Sequence, residues 1–218
     1  MLAVVNAEAL QRIAATRSVL RLINTHERTV GAGDDASRSL KGLIFVHNYA
    51  VYEYVVIESV RGLVANVNSR ALLFSSTRVE LLAMALNSEF TSVIAGSIKK
   101  TWAGRMDVLK KSRSQDALSI TEGLFPKDGS HFRPPQLETI WSLFGVPGAI
   151  VPNARLRTHI TEMVETRNRI AHGNEAPATV GSGFTVTELE KRVDDTEAVC
   201  THIIASISRH AGSATAFS

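Results

Sequence analysis

A chain of 218 residues with 44% hydrophobic and 21% charged residues is long enough to bury a core, which excludes a disordered chain, a collagen-like repeat and a disulfide-stapled miniprotein. The single cysteine, Cys200, forms no internal disulfide and no thiolate metal site by itself, so nothing asks for an oxidising compartment. With 24 Lys+Arg against 21 Asp+Glu, net charge alone neither demands nor excludes nucleic acid.

Aromatic residues make up only 6%, and no series of short alternating runs with hairpin turns is present, so strands are a minority at most. Residues 3–29 mix apolar positions with Glu8, Arg12, Arg17 and Arg21 at helical spacing and lack the apolar core of a signal peptide. GAGDD at residues 31–35 ends that helix and caps a second, 37–67. Its most apolar part, 42–60, is interrupted by His47, Asn48, Glu53 and Glu58, so a buried helix is expected rather than a membrane span. Further helical patterns cover 78–97, 99–117, 135–144, 153–172 and 186–210. Between them, residues 125–135 (FPKDGSHFRPP) hold three of the six prolines and read as a loop. The last helix opens on a capping-box pair, Thr185 with Glu188, and carries an apolar stripe that includes Val186, Leu189, Val193, Val199, Ile203 and Ile207. Residues 211–218 are small and polar enough to fray. The expected architecture is a single all-α domain over residues 1–218, built of long antiparallel helices, in the cytoplasm and without membrane attachment.

Phosphate-binding glycine loops, HExxH and GxSxG are absent from the sequence, and the seven histidines are dispersed, so neither a metal nor a cofactor is expected. Lys99, Lys100, Arg105, Lys110, Lys111 and Arg113 face one nearby acid, Asp107. That cluster reads either as an RNA phosphate-binding stripe or as a solvated helix face.

The segment that looks like chemistry is 153–174, NARLRTHITEMVETRNRIAHGN. Leu156, Ile160, Met163, Val164, Ile170 and Ala171 cluster in one arc of a helix, and Arg167 falls near the middle of that arc. A guanidinium there needs a carboxylate, a wet cleft or a subunit interface. Asn168 and His172 lie together on the flank, and Gly173-Asn174 ends the helix. His172 thus belongs to the last turn, a position suited to a general acid or base. The spacing Arg-x-x-x-x-His also occurs at Arg21 to His26 (RLINTH), but only RNRIAHG has a polar residue after the arginine, small and apolar residues before the histidine, and a helix-ending glycine.

At these residues the chain resembles the HEPN superfamily, whose hallmark is an Arg, usually followed by Asn, Asp or His, then three residues and a His. The helix GLIFVHNYAVYEYVVIESV, with Tyr52-Glu53 in an apolar run, is similar to that of HEPN subfamilies in which a glutamate follows an aromatic residue. The nearest resemblance is to the MAE_28990-like and RiboL-PSP-like groups; it rests on two helices and leaves residues 72–150 unaccounted for. It implies a helical bundle acting as a metal-independent RNA endonuclease, a homodimer with the Arg and His of both protomers lining one cleft. Arg167 would stabilise phosphate charge, His172 act as acid/base group and Asn168 orient them. Glu53 would hold Arg167 or His172, or else pair with a different cation. Residues five apart lie about 140° apart around a helix, so Arg167 and His172 of one chain do not converge on one phosphate, whereas a two-fold axis beside the helix pairs the copies. The resemblance equally allows a non-catalytic interaction module, with an antitoxin or defence-system protein as partner. DNA binding by a helix-turn-helix is weaker, because no short helix pair with a recognition helix stands out.

Overall fold

The structure, a computed structural model, describes residues 1–31, 33–96, 98–125, 132–213 and 216–217, without the side chains of 98–100 and 122. Nine α-helices lie among the described residues: α1 (Leu2–Val30), α2 (Asp35–Ser69), α3 (Val79–Ala85), α4 (Asn87–Ala95), α5 (Ile98–Ser112), α6 (Pro134–Phe144), α7 (Ala154–Ala171), α8 (Pro177–Ser182) and α9 (Val186–Ala211). The fold is all-α, and its only extended pairing among those residues is an isolated bridge between Leu73 and Ala117. No described helix is long and apolar enough to cross a membrane.

The centre of the molecule is α2. Its apolar run buries Ile44, Phe45, Tyr49, Val51, Tyr52, Val55, Val56, Val60, Leu63, Val64 and Val67, which covers most of its circumference. It therefore packs against α1, α7, α8 and α9 at once. The Asp34 side chain opens it by accepting from the Ser37 N–H at 3.1 Å. Cross-helix pairs give the directions. Arg12 lies over the Tyr54 ring and Glu27 meets Lys41 at 3.0 Å, so α1 and α2 form an antiparallel hairpin. Arg192 meets Glu162 and Arg155 meets Asp195, so α7 and α9 are also antiparallel. Arg17 ties α1 to Asp194 and Glu197 of α9 at 2.7 and 2.6 Å. At the start of α9 the capping box is complete, Thr185 Oγ1 accepting from the Glu188 N–H at 3.2 Å and Glu188 Oε2 from the Thr185 N–H at 2.7 Å.

Four expectations are corrected. The helix expected over 78–97 is two helices broken at Leu86, whose side chain is drawn into the core while its backbone turns to φ −96°, ψ 14°. The helix expected over 99–117 stops at Ser112, after which Leu118 donates its N–H to Leu72 O at 2.6 Å. A short helix, α8, lies where none was expected; it sits against α2 backbone to backbone because Gly42 and Gly181 carry no Cβ, and a Cβ on either would run into the Pro177 or Arg38 carbonyl. The tail expected to fray is docked at its described residues. Arg70 donates to the carbonyls of Ala211 and Ser213, both at 2.9 Å, and lies 4.8 Å over the ring of buried Phe217, which His210 meets edge-on.

Candidate functional site

Residues 154–171 form α7 because Asn153 caps it, accepting from the Leu156 N–H at 3.0 Å, and because Leu156, His159, Ile160, Met163, Val164 and Thr166 bury one face against α2 and α9. Toward its end the buried face opens: Ile170 is half-buried and Ala171 exposed, rather than both lying in the core arc. The helix stops in a Schellman arrangement. Gly173, at φ 71°, donates its N–H to Ile170 O at 3.1 Å, and Asn174 donates to Arg169 O at 2.9 Å. Arg169, the second arginine of RNRIAHG, clamps this turn through Glu175 at 2.7 Å and is a structural residue. His172 is thereby fixed as the C-cap with its ring exposed to solvent.

Arg167 is half-buried where the arc predicts it. Its guanidinium lies 4.4 Å from the centre of the Tyr49 ring of α2, and Nη1 donates to Asn168 Oδ1 at 3.0 Å. The Tyr49 hydroxyl in turn donates to Glu53 Oε1 at 3.1 Å. Glu53 is thus brought to the site, but at one remove: it holds the tyrosine on which Arg167 rests. By accepting this hydrogen bond, Glu53 makes the Tyr49 ring more electron-rich and its face a better seat for a cation. A stacked ring and an amide oxygen hold the guanidinium without cancelling its charge; among the described residues, no carboxylate lies within ion-pair distance of Arg167. The group is therefore positioned and still positive, as an anion-binding site requires.

Tyr49 is the site residue that sequence reasoning missed. The aromatic neighbour of Glu53 in sequence, Tyr52, is fully buried and donates to the Phe132 carbonyl instead. The signal was the i, i+4 step from Tyr49 to Glu53, which puts them on one face of α2, whereas Tyr52 and Glu53 are adjacent and diverge.

The other copy of the spacing has structural work on show: Arg21 donates to Ser18 Oγ at 2.7 Å, and His26 pairs at 3.0 Å with Asp34, the N-cap of α2, whose carboxyl is held below its usual range by the Ser37 N–H and by His26. The basic segment packs against other elements than α7 does, α5 resting on α4 and the 74–76 turn. In it, Lys111 pairs with Glu89, Lys110 lies 3.7 Å from Asp107, Arg105 stacks on Trp102 at 5.0 Å and Arg113 is exposed. The side chains of Lys99 and Lys100 lie outside the described residues. Among the described residues, no group of three His, Cys, Asp or Glu side chains is placed to hold a metal ion. Cys200 is fully buried, which pushes its thiol up to about 12 and makes it inert.

No curated protein and no solved structure matches the chain. The HEPN_MAE_28990-like HEPN family model matches residues 8–215, nearly the whole chain and including the stretch that the two motif helices leave out; the chain belongs to that family.

Proposed function

We propose that this protein is an RNA endonuclease that needs no metal, works as a homodimer, and serves in a toxin–antitoxin or antiphage setting as its family resemblance implies. The observation that carries the reading is the guanidinium of Arg167, held by Tyr49 and Asn168 with no carboxylate paired to it among the described residues, five residues before an exposed histidine fixed at a helix end. A phosphodiester is the natural occupant of such a guanidinium. Without a metal-activated water, the nucleophile within reach of an RNA phosphate is its own 2′-OH. His172 takes the 2′-OH proton, the oxygen attacks phosphorus to close a 2′,3′-cyclic phosphate, and the 5′-oxygen leaves with a proton from a second acid. A solvent water serves as that acid and regains its proton from the His172 imidazolium, while Arg167 of the partner protomer stabilises the charge on the pentavalent phosphorus and Asn168 orients that guanidinium. Pairing is supported by α2, where Leu40, Leu43, His47 and Ala50 recur at three- and four-residue steps and are all exposed.

The test is cleavage of mixed cellular RNA in EDTA, with molar mass measured on the same samples. Wild type is expected to cleave as a dimer, 2′-deoxy substitution at the cut position to block cleavage, and His172→Ala to lower it about 100-fold or more with helicity and mass unchanged. His26→Ala is the control and should leave the rate alone. Cleavage that survives His172→Ala contradicts the assignment, and a folded wild-type dimer that cuts no RNA leaves the non-catalytic interaction module as the better reading.

A further inference from the structure

Helix α5 buries almost nothing on one side. Trp102, Met106 and Leu109 are 70%, 54% and 60% exposed, while Val108 is buried and Gly104 meets the Val93 side chain of α4. The exposed three recur at steps of four and three, and Arg113 continues the pattern one step of four later, just past the helix end. That is the 4-3-4 spacing of a heptad seam, with Trp102 and Leu109 at d and Met106 at a. Gly104, Val108 and Lys111 fall on the opposite c/f side, which is the side α5 turns to α4 and the 74–76 turn. The positions flanking the seam hold Arg105 at g and Lys110 at e, and the one acid of the helix, Asp107, lies behind it at b.

We infer that this face docks an amphipathic helix of a partner protein whose own flanking positions are acidic. The heptad spacing specifies a helix as the partner, since apolar residues two per seven present a narrow line suited to knobs-into-holes contact. Charge specifies its sign. A second copy of this chain is excluded as occupant by the same residues, because parallel pairing opposes Arg105 to Lys110 and antiparallel pairing opposes each cation to its own kind. Single-stranded RNA would use Trp102 and the cations but leaves the Met106 and Leu109 side chains in water, so the apolar line favours protein. The inference is independent of the nuclease reading, since it uses no residue of the Arg167 site.

The structure also supplies the probe. Of the two tryptophans, Trp141 is buried and Trp102 is open, so only Trp102 emission shifts to the blue when the face is covered. The experiment titrates the full chain with two synthetic heptad helices, identical at a and d, one with Glu and one with Lys at e and g. The Glu helix is expected to bind with a dissociation constant on the order of 10 µM and the Lys helix not to bind. Arg105→Glu with Lys110→Glu, at two exposed positions, should leave the circular dichroism unchanged, weaken the Glu helix about tenfold or more and admit the Lys helix. Equal binding of both helices, or indifference to the charge reversal, overturns the proposal. So does a blue shift produced by anionic vesicles, by oligoadenylate or by self-association in place of the Glu helix.

Discussion

Arg167 is held by geometry that two conservative substitutions separate. Arg167→Lys keeps the charge but loses the planar stack on Tyr49 and the fork that donates to Asn168. Tyr49→Phe keeps the stack and loses the bond to Glu53. If Glu53 acts only through Tyr49, as the chain of contacts indicates, then Tyr49→Phe and Glu53→Gln each cost about 1 kcal/mol of stability and the double variant costs little more than either. In RNA cleavage both should lower kcat modestly with KM unchanged, while Arg167→Lys lowers cleavage far more. Additive effects of Tyr49→Phe and Glu53→Gln would show that Glu53 reaches the substrate or a different cation by itself. The sequence placed Arg167 in an apolar arc and foresaw that it needed something there, because a charged residue out of phase with helical spacing is visible without coordinates. It did not reveal Tyr49, because which aromatic of α2 lies under a guanidinium of α7 depends on how two helices cross.

At the scale of elements, the long helices were legible because their apolar positions recur at helical steps and their ends carry chemistry: Asp34 and the Thr185–Glu188 box cap where the sequence predicts, and Asn153, where the helical pattern begins, caps α7. What was not legible is decided by tertiary packing. Residues 177–182 carry little periodic signal, and α8 exists because two glycines let it touch α2. Leu86 breaks a helix whose local pattern runs on, since core burial outweighs continuity there. Docking of the tail depends on Arg70, which lies far from it in sequence. The close approach of α8 makes a sharp prediction. Gly42→Ala or Gly181→Ala places a Cβ against backbone that cannot move aside, and should cost about 3 kcal/mol, read as a lower midpoint in urea; Gly148→Ala, where no atom lies near the added Cβ, should cost only the strain of its positive φ. Equal effects at Gly42 and Gly148 would mean that α8 is not seated as described.

For the molecule as a whole, acid sensitivity follows from His159. Burial between α7 and α9 lowers its imidazole from the ordinary 6.5 to about 4, and its Nε2 lies 3.0 Å from Thr196 Oγ1. The Thr196 hydroxyl also lies 2.9 Å from Arg192 O. The unfolded chain takes up a proton below about pH 6.5 that the folded chain refuses until about pH 4, so stability is full above that window and falls through it, by about 3 kcal/mol at most. His159→Met should flatten urea midpoints between pH 4 and 6.5, and an unchanged slope would assign the acid sensitivity elsewhere.

The central claim is that one catalytic centre draws on two chains, since Arg167 leans against α2 while His172 stands exposed at the helix end. Mixing tests it most directly. Arg167→Ala and His172→Ala proteins, each inactive alone, are unfolded together, refolded so that mixed dimers form, and assayed on RNA in EDTA. The account predicts that the mixture regains cleavage, because a mixed dimer brings the intact Arg167 of one chain to the intact His172 of the other. Mixed dimers that form, as shown by mass, and still cut no RNA would contradict it.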